Sequence, residues 1–277
     1  MLIADPPPPV HQRAVGELRL AVKRNDQETV LDTLRQAGCL KARFPRRLVP
    51  GWFDAVMLNT GGGVAGGDRL DVAIDLAAGT RATIAAQAAE RFYRVLSMDQ
   101  PARVRTHLTV ARGACLEWLP QETILFDRSA LDRSLAIDLA ADASFLGVET
   151  LVFGRTAMGE AVRQGHLRDR IRIRRDGALV LNDAIRLDGP VHDLLARPSI
   201  ANAARSLATL VFVAPDAAAC VDAVRGALAD AEAGVSAWNG LLVARVLGPD
   251  GAAVRRSVAA ALAVLRGSRP LPRVWLC

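Results

Sequence analysis

The chain has 277 residues, 51% of them hydrophobic, and carries 35 basic against 29 acidic side chains for a formal net charge of +6. That composition excludes a disordered or fibrous chain, and the length is ample for a substantial core. Only 4% of residues are aromatic, which leaves few platforms for stacking single-stranded nucleic acid, and no apolar run approaches the ~18 residues of a membrane helix.

Residues 1–15 contain four consecutive prolines, Pro6 to Pro9, and lack the basic and apolar regions of a signal peptide. They read as a mobile proline-rich tail. Apolar and charged residues alternate from Gly16 to Lys23, which predicts the strand that opens the fold. The basic, proline-flanked stretch 41–50 reads as a connection or an arginine-bearing edge. Ala55 to Leu58 then leads into Asn59–Leu70, NTGGGVAGGDRL, where Gly61, Gly62, Gly63, Gly66 and Gly67 crowd into twelve residues. Glycine loses the most conformational entropy on folding, so such density predicts positive φ angles or close backbone approach.

Two nucleotide readings of this loop can be tested in sequence. Gly61, Gly63 and Gly66 fit the dinucleotide pattern G-x-G-x-x-G, which requires a helix next. Leu70 to Leu76 instead alternates at the period of a strand. A phosphate loop needs Gly-Lys-Ser/Thr, whereas Gly67-Asp68-Arg69 puts a carboxylate where a phosphate would sit.

Further strands are predicted over 82–87 and 103–110, the latter with His107 on the charged face as a surface histidine. Gln87–Arg94 contains Glu90, Arg91, Tyr93 and Arg94, which also reads as a solvated ion-pair patch. In Cys115–Asp127, Pro120 breaks the strand, and Gln121 and Glu122 follow the break. Cys115 and Glu117 share a face of an extended segment. They form a metal-pair candidate, against the simpler reading of a buried cysteine beside an exposed acid. Leu135–Leu139 alternates, Phe145–Phe153 is nearly all apolar, and Gly154–Glu160 is a second small-residue loop. Arg168, Arg170, Arg172 and Arg174 line one strand face opposite Leu167, Asp169, Ile171 and Ile173, ahead of an Asp176-Gly177 turn.

After residue 205 the character changes. Thr209–Val213 reads as a strand, Pro215-Asp216 starts a helix, Trp238 to Gly240 turns into a strand at 242–247, and Val254 to Leu265 forms a second helix closed by Gly267. The expected fold is mainly β. Residues 16–205 would form an elongated body of stacked, β-helix-like strands carrying the glycine loop, and residues 206–277 a small α/β part with about two helices packed on it.

The cysteines Cys39, Cys115, Cys220 and Cys277 and the four histidines are dispersed, with no Cys-x-x-Cys or His-x-x-x-His spacing. Local sequence therefore offers no zinc-type site and points to a cytoplasmic protein. Apart from Lys23 and Lys41 the basic side chains are arginines, whose planar fork suits contacts with carboxylates across an interface.

Four stretches in order, NTGGGVAGGDRL (Asn59–Leu70), QAAERFYR (Gln87–Arg94), LEWLPQETILFD (Leu116–Asp127) and GRTAMGE (Gly154–Glu160), resemble the urease accessory protein family UreD, also called UreH. The resemblance implies a non-enzymatic maturation factor. It would bind UreF and, through it, the GTPase UreG, dock on the urease apoprotein in a complex with a possible dimeric assembly, and help deliver nickel. It implies no tightly bound cofactor, only transient Ni²⁺, and no nucleic-acid or membrane partner.

Within the four motifs, Asp68, Glu90, Glu117, Glu122 and Glu160 are candidate carboxylates for a nickel path, since oxygen donors bind Ni²⁺ weakly enough to exchange. The competing expectation pairs Asp68 with Arg69, and Glu90 with Arg91 or Arg94. The loop glycines with Arg69, Arg91, Tyr93, Arg94, Gln121 and Arg155 form the candidate structural and interaction motif. Two other classes stay open: an enzyme using the glycine loop for a nucleotide, and a basic nucleic-acid-binding β module.

Overall fold

The computed structural model describes residues 12–96, 100–155, 158–267 and 269–276. Most of the proline-rich stretch, Thr156 and Ala157 of the second small-residue loop, and Cys277 lie outside the described residues. Seventeen strands are assigned among the described residues. Seven form a first sheet: β1 (Val15–Asn25), β2 (Glu28–Gly38), β5 (Arg69–Leu76), β8 (Ala102–Val110), β11 (Ala130–Leu139), β13 (Gly165–Arg175) and β14 (Ala178–Gly189), in spatial order β14-β13-β11-β8-β5-β1-β2.

The second sheet holds β3 (Leu40–Arg43), β4 (Phe53–Asn59), β6 (Arg81–Ala86), β9 (Cys115–Leu119), β12 (Ser144–Phe153), β15 (Ser206–Val213), β16 (Glu232–Trp238) and β17 (Leu241–Gly248), in the order β16-β17-β15-β12-β9-β6-β4-β3. Two short strands, β7 (Glu90–Phe92) and β10 (Thr123–Leu125), attach to it through β12.

From β4 to β13 the chain crosses back and forth between the sheets. It re-enters each one parallel to the strand it last laid down: β5, β8, β11 and β13 in the first, β4, β6, β9 and β12 in the second. Antiparallel hairpins finish the edges. The β13–β14 hairpin turns at Asp176 (φ 50°) and Gly177 (φ 79°), as the Asp-Gly dipeptide predicts.

The inward positions of both sheets make one core, including Leu18, Leu20, Ile74, Leu108, Leu116, Ile137 and Phe145. A second core lies on the far face of the second sheet, under α2 (Val221–Ala227) and α3 (Gly251–Arg266). Strand β12 explains itself in this frame. Phe145, Leu151 and Phe153 face the first core, Leu146 and Val148 the second, so a strand buried on both faces reads as a continuous apolar run.

In α3, Val254, Val258, Ala261 and Leu262 recur at helical spacing on the buried side. Asp250 caps the N-terminus by accepting from the Ala253 amide at 2.7 Å, and Gly267 ends the helix at φ 61°. The mainly β class is thus the one the sequence predicts, and the C-terminal part carries the two expected helices. A further short helix, α1 (Val191–Ala196), follows β14. Strand β15 pairs directly with β12, so the C-terminal part extends the second sheet.

Candidate functional site

The glycine loop links β4 of the second sheet to β5 of the first. It is pinned along its length. Asn59 accepts from the Gly61 amide through Oδ1 (2.9 Å) and donates through Nδ2 to Glu90 Oε2 (3.0 Å). Thr60 bonds the Cys39 carbonyl through both its amide and its hydroxyl. Gly62, Gly63 and Gly67 have positive φ (75°, 137° and 82°). A Cβ on Gly63 would lie 2.3 Å from the Tyr93 ring, which packs there while its hydroxyl donates to the Gly62 carbonyl at 2.8 Å. These are the positive φ and close approach that the glycine density predicts. Gly61 and Gly66 are not among the positive-φ glycines, so positive φ accounts for three of the five loop glycines.

Asp68 is buried and does not pair with Arg69; its two oxygens accept from the Ala14 amide (2.8 Å) and the Ala65 amide (2.7 Å). It closes the loop as a backbone staple. The neighbouring arginine is exposed at the start of β5.

The motif stretches meet edge to edge. Val64 bridges Phe92 in parallel, β7 pairs with β10 with Glu90 opposite Thr123, and β10 pairs with the end of β12. Gly154 then donates to the Leu125 carbonyl. Beyond β10, the Phe126 ring meets Tyr93 edge-on (centroids 5.2 Å apart) and takes the Arg155 guanidinium over its face at 4.4 Å. Arg155 also pairs with Glu160 at 2.8 Å, which holds that carboxyl below its ordinary value. Arg94 bridges Ser129 antiparallel, and Arg91 is exposed on β7, opposite Ile124 of β10.

Behind this ladder, between the two sheets, is a cavity of about 260 Å³. Leu40, Met57, Leu70, Val72 and Trp118 supply apolar walls, and Asn59, Glu90, Gln121, Thr123, Arg133 and Glu149 supply polar groups. Burial pushes the Glu90 carboxyl up, against the pull of Asn59 and the Arg91 amide. At the opposite wall Arg133 is buried. It forks onto Asp169 (2.9 and 2.6 Å) and reaches Glu149 (2.6 Å) and the Thr123 hydroxyl (2.9 Å). The Trp118 indole N–H donates to Glu149 at 2.8 Å. Two carboxylates share one guanidinium there, and burial with Asp169 nearby pushes Glu149 up against the opposing pull of Arg133.

The other candidate carboxylates have different work. Glu117 is fully buried, which corrects the reading of an exposed acid beside a buried cysteine; Cys115 is the partly accessible one of the pair. Glu117 accepts from Thr83 (2.8 Å) and from Arg266 Nε and NH2 (3.0–3.1 Å), and lies 2.7 Å from Arg269 NH1. It thereby ties the end of α3 to the second sheet. Glu122 pairs with Arg255 of α3 at 2.9 Å, while Gln121 donates to the Val274 carbonyl at 2.7 Å.

The fold therefore brings Gly62, Gly63, Glu90, Arg91 and Gln121 to the cavity, gathers Tyr93, Arg155 and Glu160 around Phe126, and places Asp68, Glu117 and Glu122 elsewhere. No group of three or more His, Cys, Asp or Glu side chains positioned to hold a metal occurs among the described residues. Arg133, Glu149 and Asp169 were not singled out in sequence. Their signal was there: Arg133 and Asp169 each interrupt an apolar strand face with opposite charge, and they sit opposite one another in the β11–β13 register.

A sequence profile described as UreD urease accessory protein matches residues 14–276. The chain belongs to the UreD family. A UreD urease accessory protein of Azorhizobium caulinodans is 45% identical over 269 residues, covering 96% of this chain and 98% of its own. That of Xanthobacter autotrophicus is 48% identical over 268 residues, covering 96% and 91%, and that of Dinoroseobacter shibae 47% over 266 residues, covering 95% and 92%. The matched span takes in every strand and helix of this UreD-family fold from β1 to α3, including the glycine loop, the motif ladder and the cavity.

Proposed function

We propose that this chain is a non-catalytic urease maturation factor of the cytoplasm. It binds UreF and, through it, the GTPase UreG, docks on the urease apoprotein and hands nickel toward the urease active site. The observation that carries the reading is the family match over residues 14–276. The cavity behind the motif ladder supports it chemically. Oxygen donors line the cavity, of the class that exchanges divalent cations readily: Glu90 faces the space, while Glu149 is held by Arg133 and Trp118 and the Asn59 and Gln121 amide oxygens accept from Gly61 and Arg255. Among the five motif carboxylates, Glu90 is the one that faces this space without an arginine bonded to its side chain.

A tagged copy of this chain, co-expressed with its urease subunits and UreF, tests the assignment. Co-purification of UreF and urease apoprotein, increased when all are present together, is the expected result. Recovery of the folded chain free of both would overturn it. The nucleotide alternative predicts saturable GTP or ATP binding to the purified chain, and calorimetry distinguishes the two.

A further inference from the structure

The outer face of the first sheet carries more outward cations than the carboxylates beside them can pair. On β13, Arg168, Arg170, Arg172 and Arg174 all point outward. On β8, two strands away, Arg103, Arg105 and His107 do the same. Between them runs β11, whose outward residues are Asp132, Ser134, Ala136 and Asp138. The register aligns Arg170, Ser134 and Arg105 in one row across the strands and Arg172, Ala136 and His107 in the next.

Small side chains thus floor a track walled on both sides by cations. An open depression adjoins it, running from Ser134 and Ala136 over Arg105 and His107 to Asp71 and Glu17 on β5 and β1, without reaching β13.

The two aspartates are already engaged, Asp132 with Arg170 (3.6 Å) and Asp138 with His107 (2.7 Å). Among the described residues, Arg103, Arg105, Arg168, Arg172 and Arg174 form no ion pair. Strand β14 supplies no carboxylate in register: Ala184 lies opposite Arg170, Asn182 opposite Arg172, and Arg186 opposite Arg168. Arginines at every second residue of one strand stand roughly 7 Å apart; Asp132 pairs with Arg170, and on β5 the exposed Asp71 lies opposite Arg105, so cations still outnumber the carboxylates that face them.

We propose that this track is a docking surface for an extended acidic segment of a partner protein, gripped by arginine forks from β13 and β8. Three features select that occupant. An extended peptide repeats its side chains at the same ~7 Å period as the arginines it would meet. Guanidinium forks match carboxylates bidentately. The floor is negative at both ends, at Asp132 and Asp138, about 20 Å apart, which suits an acidic stretch of some seven residues and repels a longer continuous polyanion. No Phe, Tyr or Trp occurs among the outward residues of β8, β11 and β13 on which a base could stack. The inference stands on this surface alone and does not depend on the nickel reading.

The test is fluorescence anisotropy with the purified full chain and a labelled alternating Glu-Ala peptide of about ten residues. Saturable binding is expected at low ionic strength, weakening at least about tenfold as salt rises from ~50 to ~300 mM. The triple variant Arg168→Glu/Arg170→Glu/Arg172→Glu, exposed at every site, should bind at least about tenfold more weakly and should instead bind the matching Lys-Ala peptide. That gain also shows the variant is folded. The same charge change at Arg46, Arg197 and Arg256, away from the track, should leave Glu-Ala affinity within about twofold. The proposal is overturned by absence of binding to the wild type, by equal losses in the two triple variants, or by a deoxythymidine decamer binding the wild type more tightly than the peptide.

Discussion

Replacing Glu117 tests whether a carboxylate in a family motif is part of the architecture or of a metal path. Its side chain is wholly buried on β9 and meets Arg266, Arg269 and the Thr83 hydroxyl. Arg266 is itself almost inaccessible, with 4% of its side chain exposed. Glu117→Ala therefore leaves a guanidinium in the interior with no counter-charge, besides an unpaired hydroxyl. Breaking one partner of a buried pair costs about 3–5 kcal/mol, because the surviving charge keeps its desolvation penalty. Replacing both Glu117 and Arg266 by methionine removes the fully buried pair, leaving only Arg269, whose side chain is 24% exposed to solvent, and should cost clearly less, about 0–2 kcal/mol.

Equilibrium urea unfolding of the purified chain, or of its soluble complex, reads both values from the transition midpoint at constant slope. An exposed ion pair contributes only about 0–1 kcal/mol. A Glu117→Ala loss that small, or a double variant as damaged as the single one, would refute the strut assignment.

Other outcomes follow from the same geometry. Gly63→Ala should be the most damaging change in the glycine loop, since its Cβ strikes the Tyr93 ring and the Arg91 carbonyl; Gly62→Ala meets open space and should cost about 1 kcal/mol for its positive φ alone. Urea midpoints that reverse this order would contradict the loop description. Arg133→Met strands Asp169 and Glu149 together and should destabilise by about 3–5 kcal/mol, measured the same way. Glu90 has a raised pKa in the fold, so the folded state holds its proton longer than the unfolded chain. Its contribution to stability therefore falls as pH rises from the ordinary carboxylate value of 4.5 through the raised one. Glu90→Gln should remove that loss, equalling or exceeding wild-type stability near pH 8 while giving no gain near pH 4. Unfolding curves at the two pH values check the sign.

Much of this architecture is legible in the alternation of β1, β5, β8 and β13, because each buries one face and exposes the other. Strands β2 and β16 were not legible. Both are sheet edges with mostly accessible residues, so no apolar stripe betrays them. The candidate site divides along similar lines. The glycine loop announced itself, because positive φ and the Tyr93 contact demand glycine at particular positions.

The fate of each carboxylate did not, since it depends on remote partners. Glu117 could be buried only because Arg266, 149 residues later, arrives to meet it. Asp68 is held by backbone amides that carry no side-chain signature. Arg133 and Asp169 were visible as charges on apolar strand faces, but their pairing required the β11–β13 register.

The nickel content of matured urease tests the central proposal most directly. Urease apoprotein is matured in cells carrying wild-type chain, Glu90→Gln, Glu149→Gln or, as a control outside the cavity, Glu160→Gln, and metal per active site is measured at matched yield of the assembled complex. If nickel is handed on through the cavity, both cavity variants assemble normally yet give urease short of nickel, while the control gives fully loaded enzyme. Full loading with both cavity variants, at equal complex yield, would contradict it.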